Sequence, residues 1–253
     1  MQKNNDGSGI MAFVRRIAVP GLQNCRDLGG FAAEGGVTKF GVFLRSEAPC
    51  DLSPADIQVL MDYGLTESFD LRGEPEIQWR PSALEGVLSY RKISLSGGAE
   101  TFDKNNLPEG PFSWDKVYIR RAEAHKDWFR EAVTACAEAQ GCVLYHCTTG
   151  KDRTGILTCC LLGAVGVSRE DIAADYCLSQ VYLQKMFAAM RDGSLTIRPG
   201  GSHFEEYVFQ TPFTAMTAFY DYLTENYGSI TGYLRHIGVT EESLMQLKKK
   251  FVQ

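Results

Sequence analysis

Residues 144–156, LYHCTTGKDRTGI, combine a single cysteine with the residue types that an anion site requires. Cys147 precedes Arg153 by six positions, with Gly150 between them, and apolar runs flank the segment. Consecutive backbone amides curled round one point, here those of residues 148–153, form a nest for a tetrahedral dianion. Gly150 permits the turn, and the planar guanidinium of Arg153 can bind two phosphate oxygens at once.

The same arrangement predicts that Cys147 acts as a nucleophile. A thiol at the N-terminus of a helix and beside cationic groups favours the thiolate, which is the reactive form. We expect this thiolate to face the phosphorus atom of a bound phosphate. Thr154 would bring a hydroxyl near the sulfur and stabilise it as a leaving group, and His146 would orient the cysteine backbone. The predicted phosphate ligands are Thr148, Thr149, Gly150, Lys151, Asp152 and Arg153.

The flanking residues place this segment where a strand turns into a helix. Residues 142–146, CVLYH, form a short apolar run typical of a buried strand. Residues 36–46, 65–72 and 86–95 are rich in β-forming side chains and bounded by turn residues, which predicts strands. Strands that alternate with helices predict an α/β fold with a mainly parallel central sheet flanked by helices. Ligands collect at the carboxyl edge of such a sheet, where the cysteine segment lies.

Capping residues and apolar periodicity indicate the helices. Ser53 and Gly64 have the residue types that begin and end a helix. An apolar stripe from Trp114 to Cys136, at steps of three and four, predicts one long helix with His125 packed on its buried face. After the cysteine segment the chain is predicted to be helical to its end. The predicted N-caps there are Ser168, Ser179, Thr211, Ser229 and Thr240.

Length and composition indicate one ordinary globular domain. The 253 residues contain no flexible linker, and 44% of them are hydrophobic, which is enough to bury a core. We expect residues 13–253 to form a single domain and residues 1–12 to be disordered. The net charge is only −5 and no basic run precedes residues 248–250, which argues against nucleic acid as a partner.

Neither membrane insertion nor a disulfide framework is expected. The most apolar stretch, residues 156–167, is too short to span a bilayer. A cytoplasmic location is favoured over secretion after removal of a signal peptide. Eight cysteines include no Cys-x2-Cys pair and four histidines show no metal-binding spacing, so neither a metal nor another cofactor is expected. Most thiols are predicted to be reduced and buried.

The sequence HCTTGKDRTG resembles the signature loop of the cysteine-dependent protein tyrosine phosphatases, and its lysine and aspartate are similar to those of one subgroup of bacterial and fungal members. That subgroup also carries N-F-R-D-L-G-G, then R-S, then D-L-R followed by a glutamate. This chain has NCRDLGG at 24–30, LRS at 44–46 and FDLRGEPE at 69–76. The resemblance covers most of residues 20–167, and Cys25 stands where the family usually has phenylalanine.

The resemblance implies a metal-free, two-step hydrolysis of phosphomonoesters on a fold similar to that of the dual-specificity phosphatases. Cys147 and Arg153 would be catalytic and would form and stabilise a phosphocysteine. The implied partners are proteins or peptides carrying phosphotyrosine, phosphoserine or phosphothreonine, and in some members phosphoinositides. Nothing in the sequence selects an oligomeric state. The motif residues expected to support the loop are Arg26, Asp27, Arg72 and His146.

A general acid must protonate the leaving oxygen. Many tyrosine phosphatases carry this aspartate in a W-P-D loop, which is absent here, and Trp114-Asp115 is predicted to be the first turn of a helix. The candidates are Asp152, inside the loop, and then Asp70, at the end of a neighbouring parallel strand. Either aspartate could instead be structural, Asp70 by binding loop amides and Asp152 by fixing Arg153.

Two other classes of protein share parts of this pattern. A phosphate-binding module without turnover needs only the amides and the arginine, but the intact Cys147 disfavours it. Rhodanese-like sulfurtransferases and arsenate reductases also carry a reactive cysteine in an anion loop, although the pair Arg153-Thr154 and the upstream motifs fit a phosphatase better. Lys151 would either reach a second phosphate, as on an inositide, or simply strengthen the positive field.

The segment 168–210 could form a helical cover over the site. Its apolar residues form broken stripes, and RDGSLTIRPGGS at 191–202 interrupts them with glycines. Such a segment is either a permanently packed layer or a lid that opens for substrate. Some members of the resembled family cover their site with helices near this point, which favours the lid.

Overall fold

The computed structural model describes residues 14–95, 112–197 and 204–253. Within them, seven strands form two sheets. The strands are β1 (Arg26–Asp27), β2 (Ala32–Ala33), β3 (Gly36–Val37), β4 (Phe43–Ser46), β5 (Leu65–Asp70), β6 (Ser89–Lys92) and β7 (Cys142–His146). β2 and β3 form a separate ribbon, and the others form the central sheet in the order β1-β4-β7-β5-β6. Only β1 is antiparallel to its neighbour in that sheet.

Ten α-helices and one 3-10 turn complete the described chain. The helices are α1 (Pro54–Tyr63), α2 (Glu74–Trp79), α3 (Trp114–Ala124), α4 (Lys126–Glu138), α5 (Asp152–Ala164), α6 (Arg169–Tyr182), α7 (Gln184–Arg191), α8 (Phe213–Tyr227), α9 (Ile230–His236) and α10 (Glu241–Phe251), and the 3-10 turn is Glu206–Phe209. The predicted disordered segment 1–12 lies outside the described residues.

The central strand β7 separates two apolar cores. Because side chains alternate along a strand, Val143 and Tyr145 enter one core and Leu144 enters the other. The larger core contains α3, α4, α5 and the C-terminal helices, and the smaller core contains Leu60 of α1. The predicted fold class, a mainly parallel sheet flanked by helices with a helical C-terminal part, is confirmed.

Three of the four predicted strands are confirmed, β5 and β6 with shorter bounds and β7 with the predicted bounds. The strand predicted at 36–46 is wrong in extent, because β3 and β4 are separate strands in different sheets. Gly41 lies between them with a φ of 75°, and its amide donates to Asp27 at 2.7 Å. The chain therefore leaves the extended conformation before it enters the central sheet.

The predicted boundaries of α1 are confirmed, whereas the long helix after Ser113 is wrong. The Ser53 hydroxyl accepts from the N-terminal turn of α1, and Gly64 ends the helix at a φ of 110°. The apolar stripe that predicted one helix runs through both α3 and α4, which are separated at His125. His125 is half-buried at this junction rather than packed in the core. The periodic apolar pattern shows which face of a helix is buried. A break in the helix that leaves this face unchanged does not alter the pattern.

Three of the five predicted C-terminal N-caps are confirmed, at Ser168, Ser229 and Thr240. Ser179 lies inside α6, where its hydroxyl accepts from a buried arginine instead of capping a helix. Thr211 precedes the N-cap of α8 by one residue, and its hydroxyl donates to Gln180 at 3.1 Å. Both predictions failed because tertiary contacts use these hydroxyls.

The cysteines and apolar segments agree with the expected environment. All eight cysteines are free thiols, and only Cys50 and Cys177 are not fully buried. Burial raises the pKa of Cys136 to about 12, so that thiol is a neutral packing group. No helix in the described ranges has the length and apolar character needed to cross a membrane.

Candidate active site

The cysteine segment occupies the carboxyl edge of the central sheet. β7 ends at His146 and α5 begins at Asp152, so residues 147–151 form the connecting loop. The neighbouring parallel strands β4 and β5 end at the same edge. Gly150 has a φ of 69°, and a Cβ there would lie 2.2 Å from the carbonyl oxygen of Ser46. The close approach of β4 therefore requires glycine at this point of the loop.

Cys147 and Arg153 are both almost inaccessible. Their exposed fractions are 2% and 7%. Several buried cations lie close enough to Cys147 to interact electrostatically with it, so the loop is a positively charged place for a bound anion. These cations are Arg45, Arg121, Lys151 and Arg153.

Arg153 is held in a fixed orientation by Glu76 from α2. Its two terminal nitrogens donate to the two carboxylate oxygens, each at 2.6 Å. Glu76 also accepts from the Thr148 hydroxyl and from the Gly73 amide. Burial alone would raise the pKa of Glu76, but the hydrogen bonds and charge of Arg153 outweigh it and lower the pKa to about 2. Glu76 is therefore ionised and positions Arg153, a task that one reading of the sequence gave to Asp152.

Asp70 lies in a closed ion pair. Arg72 donates to both of its oxygens, at 2.7 to 3.1 Å, and the Tyr90 hydroxyl donates to Oδ2 at 2.5 Å. Burial would raise the pKa of Asp70, but His146 and Arg72 hold it below its usual range. Burial lowers the pKa of His146 to about 4, so this imidazole is neutral near pH 7. The structure thus pairs Asp70 with Arg72 beneath the loop.

Asp152 is the half-buried first residue of α5. Its Oδ1 accepts a hydrogen bond from Tyr118 at 2.6 Å and lies 3.5 Å from Lys151 Nζ. The buried Lys151 donates to the carbonyl oxygens of Val208 and Gln210, at 2.6 and 3.0 Å. Lys151 therefore faces the chain that follows α7.

Residues of the N-terminal motif brace the back of the loop. The Asn24 amide donates to the carbonyls of Thr149 and Gly150 at 3.1 and 3.2 Å. Arg45 also donates to the Gly150 carbonyl, at 2.8 Å. Asp175 of α6 accepts from Arg45 and Arg26, at 2.7 and 2.8 Å.

The remaining predicted residues separate into two groups. Thr154 is buried, and its hydroxyl has no hydrogen-bond partner among the described residues, so it is available to a group in the loop. Asp27 instead accepts from Gly29, Gly41 and Tyr63, which stabilises the turns around β1. Cys25 is packed in the smaller core.

Sequence reasoning missed Glu76, Tyr118 and Asp175 as members of this site. Glu76 had a signal, since it is the glutamate that follows D-L-R in the motif at 69–76. Tyr118 was interpreted as one member of an apolar stripe, and Asp175 was not singled out. Neither has a local pattern that points to a loop formed elsewhere in the chain.

Comparisons with known proteins point to one family. Residues 17–253 match the model of a family described as the tyrosine phosphatase family. A tyrosine-protein phosphatase of Nostoc commune is 31% identical over 223 residues, which cover 83% of this chain and 74% of that protein. A putative tyrosine-protein phosphatase of Cupriavidus necator is 32% identical over 170 residues, 63% of this chain and 61% of that protein.

A third relative is the triple specificity protein phosphatase PtpB of Mycobacterium tuberculosis. It is 28% identical over 118 residues, 42% of each chain. The family indicated by the sequence motifs is confirmed by these matches. Since the family model extends over residues 17–253, this chain belongs to the tyrosine phosphatase family.

Proposed function

We propose that this protein hydrolyses phosphotyrosine in proteins or peptides through a phosphocysteine at Cys147, without a metal, and that it belongs to the bacterial and fungal subgroup with the lysine-aspartate loop. The observation that carries the proposal is the strand-to-helix loop between Cys147 and Arg153, with both terminal nitrogens of Arg153 bound to the single carboxylate of Glu76. Such a loop binds three phosphate oxygens and directs the fourth substituent away from the sulfur.

In the first step, the Cys147 thiolate attacks phosphorus, and the bond to the leaving oxygen breaks as Asp152 gives that oxygen a proton. In the second step, water attacks the phosphocysteine while Asp152 takes a proton from it, and the phosphorus–sulfur bond breaks. The Thr154 hydroxyl then donates to the departing sulfur. Arg153 and the loop amides stabilise the phosphoryl oxygens in both steps.

Asp152 is a better candidate for the general acid than Asp70. Asp70 is fully buried and bound by Arg72 on both oxygens, so it has neither a proton to give nor access to a leaving group. Asp152 is half-buried at the loop itself. We assign Asp70 and Arg72 a supporting role beneath His146.

The substrate range extends in this proposal to phosphoserine and phosphothreonine, as the name of the triple-specificity relative suggests, and to phosphoinositides. The latter depends on Lys151, which would leave its carbonyl partners to bind a second phosphate. Comparing Lys151→Ala on a multiply phosphorylated inositide and on a phosphotyrosine peptide tests this. A larger loss on the inositide supports the extension, and equal losses remove it.

Of the cover predicted at 168–210, only the part after α6 is proposed to move. Ile172, Ala173 and Tyr176 of α6 are part of the main core, which argues that α6 is fixed. Apolar side chains of residues 183–197, together with Phe204 and Phe209, instead form a separate cluster, and Tyr207 packs against the main core. We propose that this cluster is the moving lid, because Cys147 is only 2% exposed and substrate needs an entrance.

The decisive experiment measures hydrolysis of an aryl phosphate by Cys147→Ser and Arg153→Ala. Cys147→Ser should fold and lose activity, because a serine hydroxyl stays protonated at neutral pH. Arg153→Ala should lose roughly 10³-fold or more in kcat. Substantial activity in either variant, or a strict requirement for a divalent metal, would contradict the mechanism. Binding of phosphotyrosine without turnover, or sulfur transfer from thiosulfate, would support the other classes.

A further inference from the structure

Two buried tyrosines connect the loop to α3 and α6. The Tyr118 hydroxyl of α3 lies 2.7 Å from the Tyr176 hydroxyl of α6 and donates to Asp152 Oδ1 at 2.6 Å. Both side chains are fully buried. Asp152 therefore lies at the end of a chain of two hydroxyls that belong to no motif in the sequence.

The direction of these hydrogen bonds follows from the number of protons. Burial and the neighbouring charge of Asp152 raise the pKa of both tyrosines well above the ordinary value, so both hydroxyls keep their proton. Tyr118 has one proton, which it donates to Asp152. Tyr176 must then be the donor in the contact between the two tyrosines. The chain thus supplies two aligned donors that end on Oδ1 of the carboxyl group.

We propose that Tyr118 and Tyr176 are positioning residues that orient the Asp152 carboxyl group for proton transfer. The proposal rests on the proposed role of Asp152 as the general acid. Both described contacts of Asp152 are made by Oδ1, so Oδ2 carries the proton that passes to the leaving oxygen. As that proton leaves, negative charge develops on the carboxylate, and the hydrogen bond from Tyr118 becomes charge-assisted and stronger.

Replacing a tyrosine by phenylalanine removes the hydroxyl and keeps the ring. The role of the hydroxyl can therefore be tested separately from the packing of the ring. The Tyr118 ring contacts the rings of Trp114, Tyr176 and Phe219, and these contacts survive in Tyr118→Phe. Tyr145→Phe is a matched control, since the equally buried Tyr145 hydroxyl bonds to Thr158 at 2.7 Å, between β7 and α5, and makes no described contact with Asp152. Both changes remove one buried hydroxyl from an aromatic ring.

The experiment compares kcat for an aryl phosphate, which has a good leaving group, with kcat for an alkyl phosphate, which needs an acid. Tyr118→Phe should slow the alkyl phosphate about tenfold more than the aryl phosphate. Tyr176→Phe should act in the same direction by a smaller factor, and Tyr145→Phe should leave the ratio unchanged. Adding Tyr118→Phe to Asp152→Asn should cause no further selective loss, because the tyrosine acts through the acid.

The outcomes separate this inference from the proposed mechanism. Equal slowing of both substrates by Asp152→Asn would show that Asp152 is not the acid and would overturn both. A selective effect of Asp152→Asn, with equal slowing of both substrates by Tyr118→Phe and by Tyr176→Phe, would overturn the inference alone. If Tyr118→Phe does not fold, Tyr176→Phe decides, because it shortens the same chain by one donor.

Discussion

At the scale of single residues, the orientation of Arg153 depends on Glu76. The carboxylate matches the planar guanidinium with two parallel hydrogen bonds, which is the geometry that most restricts an arginine side chain. An arginine side chain that is already fixed loses less conformational entropy when phosphate binds.

Replacing Glu76 by glutamine should lower kcat/KM for an aryl phosphate by about 10- to 100-fold, because a small displacement of a catalytic group has an effect of that size. Glutamine keeps the shape but loses the charge and one acceptor. Glu74→Gln is the control, since Glu74 is exposed on the same helix. Equal activity of the two variants would show that Arg153 needs no carboxylate to hold it.

The same carboxylate should make stability depend on pH. The pKa of Glu76 is lowered from 4.5 to about 2 in the folded protein. Its contribution to stability is therefore fully present above pH 4.5 and is lost as the pH falls toward 2. Urea unfolding at several acidic pH values should show a shallower loss of stability in Glu76→Gln than in the parent protein. Parallel curves for the two proteins would contradict the assignment.

The residues that could be predicted from the sequence are those of one continuous segment. Cys147, Gly150 and Arg153 are fixed relative to each other by a single loop, so their spacing carries the information. Asp152 was predicted with two possible roles, and one of them, fixing Arg153, belongs to Glu76 in the structure. That contact joins two helices that are far apart in the sequence, so a local sequence pattern cannot show it.

At the scale of elements, the proposed lid motion would involve the small apolar cluster around α7. Its buried members, Leu183, Phe187, Met190 and Phe209, form a cluster distinct from the core that contains α5, whereas Tyr207 packs against that core. Lys151 joins the segment after α7 to the loop through two carbonyl oxygens, and Trp114 donates to the carbonyl of Tyr207 at 2.9 Å. Tyr207 also stacks on Phe112, so both polar and aromatic contacts join the segment after α7 to the rest of the molecule.

Hydrogen exchange should be faster in α7 and at 204–210 than in α5, whose residues from Arg153 to Leu162 are all buried. Bound vanadate should slow this exchange if ligand binding favours the closed position. Lys151→Ala should accelerate it at 206–210, whereas Lys185→Ala, an exposed lysine of α7, should not. Protection equal to that of α5 and unchanged by vanadate would make the cluster a permanent layer.

The ends of helices were predicted correctly where neighbouring residues in the chain determine them. They were predicted wrongly where tertiary contacts determine them. Ser53 caps α1 through its own backbone neighbours, and the sequence was sufficient for it. Ser179 has the same residue type but is used by Arg26 at 3.1 Å. The break between α3 and α4 at His125 could not be seen in the sequence, because the apolar stripe continues across it.

At the scale of the whole molecule, Asp175 connects the N-terminal motifs, α6 and the loop. It binds Arg26 and Arg45, and all three side chains are buried. Because Arg45 also binds the Gly150 carbonyl, the ion group transmits the position of α6 to the loop. A buried group of this kind is costly to leave half-paired.

Asp175→Asn should therefore reduce the free energy of unfolding by about 3–5 kcal/mol, since two buried arginines lose their counter-charge. Asp221→Asn is the matched control: Asp221 pairs with Arg169 at the surface, where such a pair is worth about 0–1 kcal/mol. Urea denaturation of both variants measures the difference. A loss below about 1 kcal/mol for Asp175→Asn would mean that solvent or another carboxylate compensates the arginines.

The insertion of β7 between β4 and β5 has a consequence for protein synthesis. Both neighbouring strands leave the ribosome long before β7 does, since β5 ends at Asp70 and β7 begins at Cys142. At about 5–20 residues per second, the nascent chain waits roughly 4–14 s with the gap between the two strands unfilled. During that interval the strand edges are open to wrong partners, and early association with a chaperone would protect them. Catalytic activity should then appear abruptly, only after α6 has been translated and has docked behind the completed loop.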